Sequence, residues 1–254
     1  MKVTFLGSGT SQGVPVISCT CAVCTSSDTR DNRLRSSVFI EVNGTNIVID
    51  TGPDFRYQML RSKINKLDAV LLTHSHKDHI AGLDDVRAYN YFQQKPMDVY
   101  ATEETQQALR REYSYIFDNQ DYPGIPQIRL HTIQSATPFS VSGIEVTPIR
   151  VLHYKMEVIG FRIQDFTYIT DANYIAPQEI EKIKGSKVLV LNALRHEQHV
   201  SHYTLSQAIE IAKEIGAEET YFTHISHQLG LHKEVDAELP EGMHLAYDCL
   251  ELEL

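Results

Sequence analysis

The chain has 254 residues, of which 42% are hydrophobic and 22% charged, which is ordinary for a folded domain with a sizeable core. The formal net charge of −10 argues against broad electrostatic binding of nucleic acid, which depends on Lys and Arg neutralising phosphates. The start of the chain lacks the long apolar core of a signal peptide, and no stretch approaches the ~20 apolar residues of a membrane span. We therefore expect a cytoplasmic protein without a membrane partner.

Short β-rich runs and stretches of helical periodicity alternate along the chain. Strands are predicted at residues 3–6, 37–42, 46–49, 69–72, 98–100, 144–149, 158–163, 166–169, 187–191 and 220–223. Helices are predicted at residues 102–115, 177–183 and 205–215, and residues 118–126 are predicted to form a surface loop or lid. This order indicates an α/β (α+β) chain in which residues 1–254 form one domain of two packed sheets flanked by helices.

A histidine-rich loop follows the predicted strand at residues 69–72. Within six residues it carries four candidate ligands, His74, His76, Asp78 and His79. Three later strands each lead into a further candidate: His153, Asp171 and His224. Neutral imidazole and carboxylate suit Zn, Mn or Fe, and a carboxylate can bridge two cations, which makes Asp171 the natural shared ligand. The pattern predicts a site for two metal ions.

These motifs resemble those of the metallo-β-lactamase superfamily. The matching segments are Val48-Ile-Asp-Thr-Gly52, His74-Ser-His-Lys-Asp-His79, His153, Thr170-Asp171 and Thr223-His224. The resemblance implies an αββα sandwich of two mixed sheets with the metals at one edge. It implies one ion held by His74, His76, His153 and Asp171, and a second held by Asp78, His79, His224 and Asp171. An aspartate at position 171, rather than a cysteine, resembles the hydrolase and phosphodiesterase branches.

A cysteine cluster lies near the start of the chain, with Cys19, Cys21 and Cys24 close together. A closed structural zinc site needs four ligands, and His227 is the candidate for the fourth. The pattern resembles the phosphodiesterases of the carbon–phosphorus lyase pathway, which carry an added zinc beside the catalytic pair. Three thiols without a metal are the alternative. Cys249 stands alone in an apolar stretch and is predicted to be buried in the core.

Two further residues, Asp50 and His202, complete the predicted site. Asp50 is expected to orient a ligand histidine rather than to bind metal, with a strand-end cap as the alternative. His202 lies two residues before Thr204, the predicted N-cap of the last helix, where an anion is favoured. The resemblance implies that His202 helps to bind phosphate and protonates the leaving group, with His199 as the second candidate. His196 is expected to be a surface residue.

The sequence therefore predicts a dinuclear phosphodiesterase for small phosphodiesters, cyclic ones included, that acts through a metal-bridging hydroxide. Asp78 would accept a hydrogen bond from this nucleophile. The expected cofactors are two Zn or Mn ions and one structural Zn. The alternatives are a tRNA 3′-processing nuclease, although its inserted arm is not evident here, a lactone or thioester hydrolase, and an accessory role in cofactor biosynthesis. The physiological substrate, the native metal, the arginines that contact substrate and the oligomeric state stay open, a homodimer being the commonest case.

Overall fold

The computed structural model describes residues 1–118 and 124–254, so the loop or lid predicted at residues 118–126 lies largely outside the described residues. Its strands form two sheets. The first contains β1 (Lys2–Gly7), β2 (Ser37–Val42), β3 (Thr45–Ile49), β4 (Ala69–Leu71), β5 (Met97–Ala101), β6 (Ile128–Thr132) and β15 (Glu251–Glu253). The strand order is β15-β1-β2-β3-β4-β5-β6. This sheet is mixed, because β1 and β2 pair antiparallel whereas β3, β4 and β5 run parallel.

The second sheet contains β7 (Phe139–Val141), β8 (Ile144–His153), β9 (Met156–Ile163), β10 (Phe166–Tyr168), β11 (Tyr174–Ile175), β12 (Val188–Asn192), β13 (Glu219–Thr223) and β14 (Met243–Leu245). Its order is β11-β8-β9-β10-β12-β13-β14, with β7 paired to β8. Buried residues of both sheets, such as Phe5 and Ile40 from the first and Phe161 and Tyr168 from the second, form one apolar cluster. The two sheets therefore pack face to face around a shared core.

Helices cover the outer faces of both sheets. They are α1 (Phe55–Arg61), α2 (Lys77–Ile80), α3 (Arg87–Gln93), α4 (Glu103–Glu112), α5 (Ser114–Phe117), α6 (Pro177–Ile183), α7 (Leu205–Ile215) and α8 (His232–Ala237). One apolar cluster joins α1, α3 and α4 to the first sheet, and another joins α6, α7 and α8 to the second. The predicted architecture of two mixed sheets flanked by helices is confirmed. None of the helices in residues 1–118 and 124–254 is long and apolar enough to cross a membrane.

The predicted elements differ from the observed ones in identifiable places. Strand β8 continues to His153 because its hairpin partner β9 pairs with it antiparallel from Thr147 to His153. The helix predicted at residues 102–115 breaks at Tyr113, whose hydroxyl donates to the carbonyl of Ile80 across a buried contact. The prediction that Cys249 is buried is wrong. Its thiol is exposed, because a left-handed backbone (φ 69°) places Cys249 in a turn before β15.

Candidate metal centre

Five candidate site residues lie at one edge of the sandwich, where strands from both sheets end. Asp50 follows β3, His74 follows β4, His153 ends β8, Asp171 follows β10 and His224 follows β13. Asp50, Asp171 and His224 all have left-handed backbones, with φ of 64°, 54° and 58°. Non-glycine residues avoid this region at a cost of roughly 1–3 kcal/mol, and such strain collects at functional sites. The sharp bends turn these side chains toward the common edge.

Buried hydrogen bonds orient the two innermost histidines. Asp50 accepts a hydrogen bond from His79 Nδ1 at 2.7 Å, and it also accepts from the Thr73 hydroxyl at 2.8 Å. Because the Thr73 hydroxyl proton is used on Asp50, its oxygen is free to accept from His74 Nδ1 at 2.9 Å. Both histidines therefore direct Nε2 away from the core and into the cluster. The predicted contact between Asp50 and a candidate ligand is present.

Asp171 lies at the centre of the cluster. Its Oδ2 atom is 3.2 Å from His79 Nε2 and 3.2 Å from His224 Nδ1, while His79 Nε2 is also 3.1 Å from Asp78 Oδ2. On the other side, the Oδ1 atom of Asp171 is 3.8 Å from His202 Nδ1. A carboxylate with different histidines on its two oxygens is in the position expected of a shared ligand.

The remaining candidate ligands close the other side of the cluster. The ring of His76 lies 4.6 Å from that of His74 and 5.1 Å from that of His153. His153 donates from Nδ1 to the carbonyl of Ser201 at 2.8 Å, which leaves its Nε2 free. Three groups of ligand atoms meet within 4.8 Å of one another: His74, His79 and Asp171; Asp78, His79 and His224; and His153, Asp171 and His202. Six of the seven predicted ligands thus belong to these groups, and the ring of the seventh, His76, lies beside those of His74 and His153.

The electrostatics of the cluster suit a divalent cation. Burial lowers the pKa of His74 well below its usual value and lowers that of His224, so both imidazoles are in the neutral form that binds metal. Burial also disfavours the charged form of His79, but the negative charges of Asp171, Asp50 and Asp78 outweigh it. They raise the pKa of His79 well above its usual value. Within the described chain, the buried Nε2 atoms of His74 and His79 lack hydrogen-bond partners. Convergent carboxylates and unpartnered imidazole nitrogens therefore fit divalent ions.

The three histidines before α7 occupy different environments. The ring of His202 is buried, 4.5 Å from that of His153 and 4.9 Å from that of His224. His199 is half-buried, with its ring 5.0 Å from His202 and its Nδ1 directed at Ser201, and it joins none of the three ligand groups. His196 is exposed, as predicted. His202 is thus the one of the three in direct contact with the cluster.

The pKa of His202 reflects its burial. Burial, reinforced by His224, lowers the pKa of His202 to about 3, so its ring is neutral in the ligand-free protein. Its buried Nδ1 atom has no hydrogen-bond partner among the described residues. The peptide N–H of the next residue, Tyr203, donates to the carbonyl of Ala172 at 2.8 Å, which ties this loop to the Asp171 loop.

The cysteine cluster forms a second, separate group. The Sγ atoms of Cys19, Cys21 and Cys24 lie 3.3, 3.3 and 3.5 Å from Nδ1 of His227. The backbone N–H of Cys24 and then His227 lower the pKa of the Cys21 thiol to about 6, whereas burial raises that of Cys24 to about 11. These four atoms meet as a zinc site requires. They join the loop after β1 to the loop that follows His224.

Two residues to which the sequence alone assigned no role, Asn192 and Gly52, also shape the site. Asn192, at the end of β12, accepts from the N–H of Ala172 at 2.7 Å and donates to its carbonyl at 2.9 Å, which holds the bend at Asp171. Asn192 could have been noticed as a polar residue that closes the buried run Val188–Asn192. Gly52 is also essential to the geometry, because a Cβ there would lie 2.1 Å from the carbonyl oxygen of Asp78.

A two-sheet sandwich with such a histidine- and aspartate-rich edge defines a class of metal-dependent hydrolases. Residues 45–225 match the family model described as the beta-lactamase superfamily domain, and the chain belongs to this superfamily. A solved structure described as a new diphosphatase from the PhnP family shares 42% identity and a TM-score of 0.93, covering 100% of this chain and 97% of that one.

Two curated relatives extend the comparison. An octanoyltransferase of Porphyromonas gingivalis is 41% identical over 99% of this chain and 51% of its own length. A ribonuclease Z of Methanococcus maripaludis is 28% identical over 60% of this chain and 46% of its own length. The chain thus spans about half the length of the curated relatives it matches. About half of the octanoyltransferase lies outside the match, so its name does not assign an activity to the matched part.

Proposed function

We propose that the chain is a phosphodiesterase that acts on small phosphodiesters with two divalent ions, Zn or Mn, in its site. The observation that carries the proposal is His202. It is buried against His153 and Asp171, and lies two residues before Thr204, the N-cap of α7. A phosphate at this position would meet an imidazole nitrogen and the positive end of a helix. The likeness to a PhnP-family diphosphatase supports phosphoryl chemistry.

The superfamily membership and the central position of Asp171 support an assignment of the metal ligands. We assign one ion to His74, His76, His153 and Asp171, and the other to Asp78, His79, His224 and Asp171. When bound, two divalent cations supply an ionised water as nucleophile and offset negative charge on the phosphoryl oxygens. Asp50 keeps His79 in the tautomer that offers Nε2 to the cluster. The superfamily fold implies divalent metal ions, and we propose that this chain binds two, Zn or Mn.

The chain's own residues would move the protons. Burial raises the pKa of Asp78, but His79 outweighs it and holds that pKa well below its usual range. Asp78 therefore stays ionised and can accept a hydrogen bond from the attacking water. The neutral ring of His202 gains a partner for Nδ1 when an anionic phosphate binds, and the anion raises its pKa. His202 can then protonate the leaving oxygen, a step typically worth about 10²–10⁴-fold.

The cysteine cluster has a supporting role in this proposal. Zinc held by Cys19, Cys21, Cys24 and His227 would join the loop after β1 to the loop carrying His224. Backbone hydrogen bonds already connect these loops, from Thr10 N–H to Ile225 O at 3.0 Å and from Ile225 N–H to Ser8 O at 2.9 Å. Thiolates that bind zinc must stay reduced, which accords with the proposed cytoplasmic location.

A tRNA 3′-processing nuclease is the second candidate, favoured by the ribonuclease Z relative. The two candidates differ in substrate size. We would assay the metal-loaded protein with bis(p-nitrophenyl) phosphate, a precursor tRNA, an acyl-homoserine lactone and a thioester. The proposal predicts turnover of the phosphodiester under Mn or Zn, with much slower cleavage of the tRNA. Turnover of the lactone or thioester without phosphodiester hydrolysis would overturn it, and preferred cleavage of the tRNA would establish the second candidate.

A further inference from the structure

Three large apolar side chains stand exposed beside the metal centre: Tyr154, Tyr174 and Val200, which are 55%, 50% and 64% exposed. Each is close in sequence to a site residue. Tyr154 directly follows His153, Tyr174 is three residues after Asp171, and Val200 is two residues before His202. We call these three residues the apolar rim. Apolar side chains exposed together, rather than singly, are typical of a ligand-binding surface.

The side chain of Asn173 joins the loops of the apolar rim. Its Oδ1 accepts from the N–H of Tyr154 at 2.7 Å, and its Nδ2 donates to the carbonyl of Val200 at 3.3 Å. Its backbone N–H donates to the carbonyl of Leu152 at 2.8 Å. One amide thus links the β8–β9 hairpin to the loops bearing Asp171 and His202. The apolar rim is therefore fixed in place relative to the catalytic cluster.

Tyr154 occupies an unfavourable backbone position. It is the first residue of the two-residue turn between β8 and β9, and its φ of 58° lies in the left-handed region. Such turn positions favour Gly or Asn, because a Cβ is strained there. The Lys155 ammonium also lies 5.2 Å from the centre of the Tyr154 ring. Backbone strain of this kind collects at functional sites, so the strained Tyr154 and its neighbouring cation indicate a functional role.

We propose that the apolar rim binds a planar aromatic group, a nucleobase in the natural substrate, on the leaving-group side of the phosphodiester. This inference rests on the proposed phosphodiesterase function. His202, the candidate donor to the leaving oxygen, lies on the loop that carries Val200, so the departing part of the substrate faces the rim. Tyr154 provides a ring for stacking, and Lys155 provides a positive charge beside an anionic substrate. Tyr154 is then a specificity-determining residue rather than a catalytic one.

Binding of two monophosphates to the metal-loaded protein tests this directly. Adenosine 5′-monophosphate and ribose 5-phosphate share the phosphate and the sugar but differ in the base. Stacking on one aromatic side chain is expected to favour the nucleotide by roughly 10- to 100-fold in Kd. Calorimetry should show that Tyr154→Ala removes most of this preference, whereas Tyr154→Phe retains it. Tyr57→Ala is the matched control, because Tyr57 is 57% exposed on α1, which packs on the first sheet, whereas Tyr154 lies in a hairpin of the second.

Several outcomes would overturn the inference: equal affinity for the two ligands, no measurable binding of the nucleotide, or a preference that survives in Tyr154→Ala. Turnover of bis(p-nitrophenyl) phosphate is measured on the same preparations. Turnover without base preference contradicts only the proposed base binding by the apolar rim. Base preference without any phosphodiester turnover contradicts only the proposed function. Since Tyr, Phe and Ala all pay for the left-handed backbone at position 154, differences between these variants report on the ring itself.

Discussion

Asp50 and His79 form a fully buried pair in which the carboxylate accepts a hydrogen bond from Nδ1 at 2.7 Å. The pair connects the end of β3 to the histidine loop and fixes which ring nitrogen faces Asp78 and Asp171. Desolvation raises the pKa of Asp50, and His79 opposes this rise. His79 therefore favours the ionised form of the Asp50 carboxyl group. An acid behind a ligand histidine is a common way to tune metal affinity.

The first prediction concerns this pair. Asp50→Asn should weaken metal binding at the cluster by about 10–100-fold, because the amide no longer holds His79 in one tautomer. Competition with a chromogenic chelator measures the affinity. Asp98→Asn is the matched control, since Asp98 accepts from His131 Nε2 at 2.8 Å on strands β5 and β6, outside the candidate metal centre. Equal metal affinity in Asp50→Asn and the wild type would contradict the assigned role.

The second prediction separates His202 from His199. If His202 protonates the leaving oxygen, His202→Ala should slow hydrolysis of an alkyl phosphodiester by about 10²–10⁴-fold. It should affect a p-nitrophenyl ester much less, because that leaving group needs little protonation. His199→Ala should lower both rates by similar, smaller factors. Measurement of kcat/KM for the two esters distinguishes the roles of the two histidines. Equal losses for both esters in His202→Ala would exclude the acid role.

The third prediction concerns the proposed structural zinc. Cys21→Ser should lose roughly one equivalent of zinc and lower the Tm, because a thiolate ligand that joins two loops is removed. Mass spectrometry of the metals and thermal unfolding measure both effects. Cys249→Ser is the control, since Cys249 is exposed and lies outside the four-residue group. Unchanged zinc content in Cys21→Ser would reject the site.

The fourth prediction concerns pH and a histidine outside the metal centre. His232 is buried, and its Nδ1 accepts from Nη2 of Arg33 at 3.0 Å. Its backbone N–H donates to Asp31, and Tyr247, Arg30, Asp28 and Asp236 lie around it. Burial, and then the charge of Arg33, lowers the pKa of His232 to about 4, against about 6.5 in the unfolded chain.

The unfolded state therefore binds a proton on His232 at a higher pH than the folded state does. The stabilising contribution is complete above pH 6.5 and is lost as the pH falls toward 4. His232→Asn keeps an acceptor for Arg33 but does not titrate, so its stability should depend less on pH. Between pH 6.5 and pH 4, the folding equilibrium constant of the wild type should fall by at least about tenfold more than that of the variant. Denaturant unfolding curves that shift in parallel for both proteins would contradict this.

The clustering of the candidate ligands could be predicted because strand ends are easy to recognise. Buried runs such as Val70-Leu71-Leu72 stop at a polar residue, and the carboxyl ends of neighbouring parallel strands meet at one edge. Helices α6 and α7 begin and end as predicted, because Pro177 lies in the first turn of α6 and a capping box and Gly216 bound α7. In both cases the information is local in the sequence.

Other features depend on contacts distant in sequence. Asn192 holds Ala172 from 20 residues away, and Thr73 is informative only once Asp50 is seen beside it. Helix α1 lacks a side-chain cap, and its stability comes from packing rather than propensity. Cys249 has apolar neighbours that suggested burial, but the backbone turn decided its exposure. Such features can be identified only from the three-dimensional structure.

The proposed function requires that the residues around Asp171 hold two divalent ions and that the protein hydrolyses phosphodiesters. The most direct test is to remove the metals with a chelator and titrate Mn or Zn back while measuring hydrolysis of bis(p-nitrophenyl) phosphate. We expect no activity without metal, and recovery that saturates at about two equivalents per chain beyond the zinc retained by the cysteine cluster. Asp171→Asn should abolish this recovery. Full phosphodiesterase activity in the metal-free protein, or in Asp171→Asn, would contradict the proposed function.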